Sequence, residues 1–350
     1  MSIGLVIQGP LISSGFCGDG TIAKNYRCGE QISELVRNYG TYFDFICVST
    51  WENSDSKELN KLKLEKIKVF TSKPLDKLGI CAWETPSARN QFKSSLVGLR
   101  ECQKKGLEFS LKIRTDQYFD LSEFVNQYFS DPSNIVESIY KIQGLFIWPD
   151  RPISMTDFAY FGRTTDLLRM FNNSLKNLHE QLSSVTSPWP EGEICKRYIF
   201  QHPHKLNAVE KHLLFINTDK LIYPKPRRFI DYLKDPYFGL RPSENLIFSL
   251  GNLSNRYFST SNDKVLNTLI WRGVKFKYPK NLGYSNKTTE ISHISIFDTL
   301  LWINLKKYRY FVKNNQIKNL YLLYHINIFI AFIFKARKKI AKLFRLLHLN

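Results

Sequence analysis

The sequence predicts an α/β fold: a mostly parallel sheet flanked by helices, followed by a helical C-terminal extension. Three observations predict it. Over the first 130 residues, the apolar residues switch repeatedly between the period of a strand and that of a helix. Several short apolar runs end in polar or Gly-Pro turns, and the last 50 residues are basic and helix-like. A sheet of this kind binds ligands beyond the carboxyl ends of its strands.

The elements follow in chain order. Apolar runs predict strands at residues 5–7, 45–48, 67–70 and 109–115, and helices near residues 32–36, 54–66 and 87–105, the last ending at Gly106. Further along, apolar runs at 145–148 and 158–161 alternate with predicted helices at 165–175, 191–201 and 207–215. We expect one domain over residues 1–295, with its ligand-binding part at 1–130 and a second part at 131–295, and a separate tail at 296–350.

The positive charge is concentrated in that tail. The chain carries a formal net charge of +19, and residues 301–350 hold 11 Lys or Arg and no Asp or Glu. The other 300 residues have 39 basic and 31 acidic side chains, which is only mildly basic. This distribution predicts an anionic surface contacted by the tail and no nucleic-acid partner for the body.

The tail contains an uncharged helical segment between basic flanks. Residues 319–334 are 16 residues without a charge, preceded by Lys318 and followed by the basic run 335–339. As a helix the segment reaches about 24 Å, which is less than the hydrocarbon core of about 30 Å. His325 and Asn327 also disfavour a spanning helix. We predict a helix in the plane of an anionic membrane; an apolar helix packed on the body or on a second subunit is the alternative.

The cysteines and the N-terminus predict a cytoplasmic protein. The six cysteines are widely and irregularly spaced, with no C-x-x-C pair, which is typical of reduced thiols. The apolar run 3–7 has no basic residues before it and is too short for a signal peptide, so we interpret it as the first strand. Together with the tail, this predicts a peripheral protein at the inner face of the cytoplasmic membrane.

Charged residues alternate along Lys112-Ile113-Arg114-Thr115-Asp116. The two-residue period of a strand places Lys112, Arg114 and Asp116 on one face. Two cations at a strand's carboxyl end suit the oxygens of a diphosphate, and an Asp suits a hard divalent ion that bridges them. A plain ion pair between Arg114 and Asp116 is the structural alternative.

Four segments together resemble the WavE-type lipopolysaccharide-synthesis family. They are Val6-Ile7-Gln8-Gly9-Pro10, Val48-Ser49-Thr50-Trp51, Ala88-Arg89-Asn90-Gln91 with Gly98-Leu99, and Leu111 to Asp116; Thr156-Asp157-Phe158, Phe161-Gly162 and Pro190-Glu191 extend the likeness. It covers about residues 3–200. The resemblance implies a GT-A-like (nucleotide-diphospho-sugar transferase) fold. It also implies a glycosyltransferase that adds a sugar to a lipopolysaccharide core, O-antigen or related surface glycan, the acceptor being a glycolipid or oligosaccharide.

The resemblance also implies which residues contact the nucleotide sugar. They are Gln8, Gly9, Pro10, Thr50, Arg89, Asn90, Lys112, Arg114 and Asp116. Glycine allows close backbone approach, and proline stiffens the turn. The start of the helix that carries Arg89 and Asn90 favours anions. The acceptor is expected on the side of residues 131–295. For the Gly-Pro pair, an ordinary strand-ending turn is the alternative.

A metal ion is the expected cofactor, although the motif for it is incomplete. GT-A enzymes commonly hold a divalent ion with Asp-x-Asp, whereas the matching place here is Arg114-Thr115-Asp116. Either Asp116 binds Mn²⁺ or Mg²⁺ with help from a residue such as His293, or Lys112 and Arg114 neutralise the diphosphate without a metal. Of the two, we favour the metal.

An inverting transfer also needs a carboxylate that takes the proton of the acceptor hydroxyl. Glu191 and Glu193, at the start of a predicted helix, are the first candidates, and Asp157 is the second. Acidic residues stabilised by the helix dipole are the alternative for the two glutamates. A retaining transfer needs none of them as a base.

Two other functions follow less well from the residues. Another nucleotide-using enzyme, such as a nucleotidyltransferase or a sugar-phosphate transferase, predicts a cationic Gly-rich loop after the first strand, and Gln8-Gly9-Pro10-Leu11 has no cation. A nonenzymatic membrane- or nucleic-acid-binding protein predicts positive charge spread over the body. The P-loop, zincin and hydrolase motifs are absent from the sequence.

Overall fold

The computed structural model describes most of the first 200 residues and a shorter C-terminal part. The described residues are 1–64, 67–74, 86–136, 139–147, 153, 155–176, 190–202, 206, 251, 253–277 and nine positions between 316 and 329. The predicted helix at 207–215 and the candidate ligand His293 lie outside them. So do the boundary predicted near residue 295 and most of the predicted tail.

Strands and helices are numbered here in chain order. The strands are β1 (Ile3–Gln8), β2 (Ile12–Phe16), β3 (Ile22–Arg27), β4 (Phe45–Trp51), β5 (Lys68–Ser72), β6 (Phe109–Arg114), β7 (Gln117–Tyr118), β8 (Ile135–Val136), β9 (Ile139–Tyr140), β10 (Ile142–Gly144), β11 (Ala159–Arg163), β12 (Phe258–Thr260), β13 (Ile270–Trp271) and β14 (Val274–Lys275). The helices are α1 (Gly29–Tyr39), α2 (Ser56–Leu64), α3 (Pro86–Lys104), α4 (Leu121–Ser130), α5 (Thr164–Lys176), α6 (Pro190–Gln201) and α7 (Asp263–Thr268), with 3-10 turns at Gly40–Tyr42 and Pro132–Asn134.

A seven-stranded sheet in the order β12-β10-β11-β6-β1-β4-β5 forms the centre. The pairs β6/β1, β1/β4, β4/β5 and β10/β12 are parallel, and only β11 runs antiparallel to its two neighbours. The predicted α/β fold with a mostly parallel sheet is therefore confirmed. The antiparallel β11 was not predicted from the sequence.

Helices cover both faces of this sheet. Val6 of β1 belongs to one buried cluster with residues of α3, α5 and α6, whereas Leu5 and Ile7 belong to a second cluster with residues of α1 and α4. Because both faces of β1 are buried, the strand is a continuous apolar run rather than an alternating one. A side chain at Gly98 of α3 would clash with Val6, so this glycine allows the helix to lie close to the strand.

Two hairpins that the sequence did not predict flank one edge of the sheet. The pair β2/β3 is inserted between β1 and α1, and β13/β14 extends β7, which follows β6. β2 follows the carboxyl end of β1 in the chain, and β7, with which β13 pairs, follows the carboxyl end of β6. The predicted strand at 109–115 ends one residue early, at Arg114, so that Asp116 lies just beyond the strand.

Candidate functional site

The carboxyl ends of β1 and β6 place the predicted residues side by side. Gln8 and Arg114 are register partners in the parallel pair β1/β6. Gln8 is buried, and its Oε1 accepts a hydrogen bond from Ser94 Oγ of α3 at 2.7 Å. Parallel sheets bind ligands at the carboxyl ends of their strands. At this edge Gln8, fixed by its hydrogen bond to Ser94, lies next to Arg114.

Gly9 and Thr115 form a tight junction after these two strands. Gly9 has φ +132°, and a Cβ there would lie 2.8 Å from Thr115 Oγ1. That hydroxyl donates a 2.7 Å hydrogen bond to the carbonyl oxygen of Pro10. Glycine is required here both for its backbone conformation and for the space that it leaves. The turn at Gly9 and Pro10 therefore packs directly against the residue that follows β6.

Arg114 lies between two carboxylates. Its Nε and Nη2 donate to Asp116 Oδ1 and Oδ2 at 3.0 and 3.1 Å, which is a bidentate pair. Its Nη1 donates to Asp157 Oδ2 at 2.7 Å. Gln91 Nε2 of α3 donates to the same Asp157 oxygen at 2.6 Å. The ion pair expected as the structural alternative is present, and it extends to Asp157, which the sequence had offered only as a base.

Asp116 is surrounded by further hydrogen-bond donors. Ser13 Oγ donates to its Oδ2 at 2.9 Å, Trp271 Nε1 at 3.3 Å, and the guanidinium of Arg272 lies 2.9 Å from the same oxygen. Burial acts to raise the pKa of Asp116, but the charges and hydrogen bonds, above all those of Arg114, outweigh it and lower the pKa to about 2. This carboxylate is held in its ionised form.

Lys112, two residues before Arg114 in β6, is fully buried. Its Nζ donates to the main-chain oxygen of Asp157 at 2.6 Å and lies 5.2 Å from the ring centroid of Tyr160. Burial lowers the pKa of Lys112 to about 7, against the opposing charge of Asp157. Lys112 and Arg114 thus hold the backbone and the side chain of Asp157, respectively. Lys112 is part of the predicted cluster but does not reach the surface.

The remaining predicted site residues that the structure describes lie on β4, α3 and α6. Thr50 is buried near the end of β4, where its hydroxyl pairs with Ser54 Oγ at 2.8 Å. Asn90 lies half-buried in the first turns of α3, and Glu191 lies half-buried at the start of α6, close enough for its charge to act on Lys112. The side chains of Arg89 and Glu193 lie outside the described residues.

Sequence reasoning missed Ser13, Gln91, Trp271 and Arg272 as members of the site. Gln91 belongs to a segment that was quoted for the resemblance, so its position offered a signal. Arg272-Gly273 offers a weaker one, because an X-Gly pair between apolar residues is typical of a two-residue hairpin. Nothing in the sequence links that hairpin to Asp116, more than 150 residues earlier.

The hydrogen-bond donors around Asp116 leave its carboxylate poorly suited to bind a divalent ion. Both carboxylate oxygens accept hydrogen bonds from Arg114, and Oδ2 also faces Ser13, Trp271 and Arg272. Among the described residues no group of three or more His, Cys, Asp or Glu side chains is arranged to hold a metal. The metal expected from the sequence stays a prediction that these contacts disfavour.

The fold and the site define an α/β protein with an arginine–carboxylate cluster at the carboxyl edge of its sheet. No protein-family model and no curated protein matches the chain. Among the solved structures that are similar to it, two have a TM-score of 0.29. A mannose-1-phosphate geranyltransferase from Thermus thermophilus is 12% identical, and the match covers 51% of this chain and 64% of that one, less than two thirds of its length. A glycosyltransferase involved in the glycosylation of the major capsid of PBCV-1 is 14% identical, with 52% and 69% covered. Likeness at this level indicates neither a shared activity nor a shared substrate.

Proposed function

We propose that the protein is a glycosyltransferase of the GT-A type. It moves a sugar from a nucleotide-sugar donor to a lipopolysaccharide core, O-antigen or related surface glycan, in keeping with the resemblance to the WavE-type family. The observation that carries the proposal is Arg114, which is held in a fixed orientation at the carboxyl edge of the sheet, next to the turn Gln8-Gly9-Pro10.

Arg114 suits the diphosphate of such a donor. Three of its five N–H groups donate to Asp116 and Asp157. The side chain is 23% exposed, and we assign the two N–H groups that these bonds do not use to phosphate oxygens. A guanidinium whose orientation is already fixed loses little conformational entropy when a planar or forked anion binds. We assign Arg114 as the main phosphate contact and Gln8, Gly9 and Pro10 as the turn beside it.

Glu191 is our choice for the base of an inverting transfer. Asp157 already accepts hydrogen bonds from Arg114 and Gln91 through Oδ2, and we assign it to hold Arg114 in place. Glu191 lies at the start of α6, close enough for its charge to act on Lys112, and the residue as a whole is half-buried although its Oε2 atom is enclosed. A general base must reach the acceptor hydroxyl, which favours Glu191 over the buried Asp157.

The C-terminal tail is proposed to bind an anionic bilayer, which places the enzyme beside a glycolipid acceptor. Leu322, Ile326 and Phe329, spaced as one face of a helix, are exposed. The basic run 335–339 follows them in the sequence and suits anionic headgroups. In the part of the chain that the structure describes, no helix has the length and apolar character needed to cross a membrane.

One experiment tests the assignment of the site. The purified protein is heated with UDP-, GDP-, dTDP- and CMP-sugars, each with and without Mn²⁺, and its melting temperature is recorded. At least one sugar nucleotide should raise the melting temperature, and Asp116→Ala should abolish that rise while still unfolding cooperatively. Asp166→Ala, which removes a carboxylate paired with Arg169 outside the site, is the matched control. An undiminished rise in Asp116→Ala would contradict the proposed site.

A further inference from the structure

The hairpin β13/β14 brings a second arginine to the site from the C-terminal part of the chain. β13 pairs with β7, which begins one residue after Asp116, and the backbone N–H of Arg272 donates to the carbonyl oxygen of Asp116 at 2.9 Å. The loop of the hairpin is Arg272-Gly273. Asp116 is therefore held through its backbone and its side chain by the same residue.

The guanidinium of Arg272 contacts Asp116 and the hairpin β2/β3. Its Nη2 lies 2.9 Å from Asp116 Oδ2, its Nε donates to Ser13 Oγ at 2.9 Å, and its Nη1 donates to the carbonyl oxygen of Phe16. Ser13 in turn donates to the same Asp116 oxygen. The side chain is only 7% exposed, so it supports the site without being open to a ligand.

The backbone at Arg272 is unusual for an arginine. Arg272 has φ +50° and Gly273 has φ +76°, which is the pattern of a type I′ hairpin turn. The first position of that turn favours Gly, which has no Cβ, and Asn or Asp, whose short polar side chains can hydrogen-bond to the nearby backbone; other side chains are strained at positive φ. A strained residue persists where its surroundings hold it, and here the surroundings are the carboxylate of Asp116 and the hairpin β2/β3.

We propose that Arg272 occupies the place of a divalent cation beside Asp116, and that it acts as a positioning residue which lets Arg114 bind the diphosphate without a metal ion. The inference rests on the proposed nucleotide-sugar function. Asp116 is the acidic residue that matches the second carboxylate of an Asp-x-Asp motif, and a buried carboxylate needs cations beside it to stay ionised. Arg114 supplies one cation through its bidentate pair with Asp116, and Arg272, 2.9 Å from Oδ2, supplies the second from the chain itself.

The proposal predicts a change in metal dependence when Arg272 is replaced. Isothermal titration calorimetry with UDP, GDP and dTDP is carried out in EDTA and again in Mn²⁺. The wild type should bind at least one of these diphosphates equally under both conditions. Arg272→Asn creates the favoured Asn-Gly turn and so keeps the hairpin. In EDTA it should bind the same diphosphate about 10- to 100-fold more weakly, the loss typical of a removed supporting side chain.

Mn²⁺ distinguishes a cation site from a merely structural role. In Arg272→Asn the freed edge of Asp116 should accept Mn²⁺, which restores affinity, whereas a structural loss would be equal in EDTA and in Mn²⁺ and would overturn the proposal. Arg272→Lys keeps a positive charge without the fork of three donors, and its affinity in EDTA should lie between those of the wild type and Arg272→Asn. Arg169→Asn, an arginine paired with Asp166 outside the site, should match the wild type.

Binding by the wild type distinguishes the role of Arg272 from the nucleotide-sugar function. Binding that occurs only with Mn²⁺ would overturn the role of Arg272 and leave the nucleotide-sugar function standing. Absence of binding by all three diphosphates under both conditions would overturn the role of Arg272 together with the diphosphate contact assigned to Arg114. Wild-type affinity of Arg272→Asn in EDTA would overturn the role of Arg272 alone.

Discussion

The guanidinium of Arg114 and the carboxylate of Asp116 form a bidentate pair, with Nε–Oδ1 and Nη2–Oδ2 distances of 3.0 and 3.1 Å, although the two residues are only two positions apart. The pair forms because β6 ends at Arg114 and the chain turns before Asp116. Asp157 and Arg272 then fix it from two distant parts of the chain, one from before β11 and one from the hairpin β13/β14.

Arg114→Lys should weaken the binding of the sugar nucleotide more than it weakens the fold. A lysine keeps one positive charge but cannot donate to both oxygens of Asp116 and still contact Asp157. Hydrogen bonds to a charged group contribute about 1.5–3 kcal/mol, so we expect the affinity to fall about 10- to 100-fold. Calorimetric titration measures this, with Arg169→Lys as the control outside the site. Equal affinities for the wild type and Arg114→Lys would remove Arg114 from the binding site.

Asp116 should contribute stability that disappears in acid. Its pKa is lowered to about 2 in the fold, whereas an Asp in an unfolded chain titrates near 3.9. The stabilisation is therefore present above about pH 4 and is lost as the pH falls through 2. It amounts to about 2–3 kcal/mol. Urea unfolding of the wild type and Asp116→Asn between pH 6 and pH 2.5 should show a difference that shrinks towards low pH. A difference that stays constant over this range would contradict the prediction.

Lys112 should make stability rise with pH above neutrality. Burial lowers its pKa to about 7 in the fold, and an unfolded lysine titrates near 10.4. Between these values the unfolded chain binds the additional proton, so the free energy of unfolding increases with pH. Lys112→Met removes this titration while filling a similar space. Relative to Lys112→Met, the wild type should gain stability from pH 7 to pH 10 in urea unfolding, and parallel pH profiles for the two proteins would count against it.

Gly9→Ala should damage both the fold and the site. The alanine Cβ would be strained at φ +132° and would lie 2.8 Å from Thr115 Oγ1. Backbone strain of this kind costs about 1–3 kcal/mol. Gly106→Ala is the matched control, because Gly106 also has positive φ, +69°, but nothing lies within 4 Å of the added Cβ. Thermal unfolding should detect both variants, whereas only Gly9→Ala should lose sugar-nucleotide binding. Full binding by Gly9→Ala would show that this turn lies away from the ligand.

Removal of residues 317–350 should release the protein from membranes without affecting the site. The exposed apolar face of Leu322, Ile326 and Phe329 and the basic run 335–339 are both deleted. Flotation with vesicles that contain anionic lipid should recover the full chain and not the truncated one, while both bind the sugar nucleotide equally. Neutral vesicles are the control for the charge contribution. Continued binding of the truncated chain to anionic vesicles would refute the role of the tail.

The pattern of the sequence alone determined the α/β fold and the grouping of Lys112, Arg114 and Asp116 at the end of one strand. The buried strands β1 and β4 contain continuous apolar runs, β6 alternates apolar residues with polar or charged ones, and helices such as α3 have clear ends, so local patterns were enough to place them. The carboxyl edge of β1 and β6 then followed from the rule that parallel strands end at a common edge. Lys112, Arg114 and Asp116 were named correctly as a cluster because they share one strand and its turn.

Only the tertiary structure showed that Arg272 joins Arg114 in neutralising Asp116. Short hairpins such as β13/β14 have too few residues for a periodic signal, and the contact between Asp116 and Arg272 joins residues 156 positions apart. The same holds for Asp157, which the turn before β11 brings against Arg114. Local sequence patterns reflect the conformational preferences of residues that are close in the chain. The partner of a buried charge depends instead on how distant segments pack together. The expected metal ligand is for this reason found paired with two arginines.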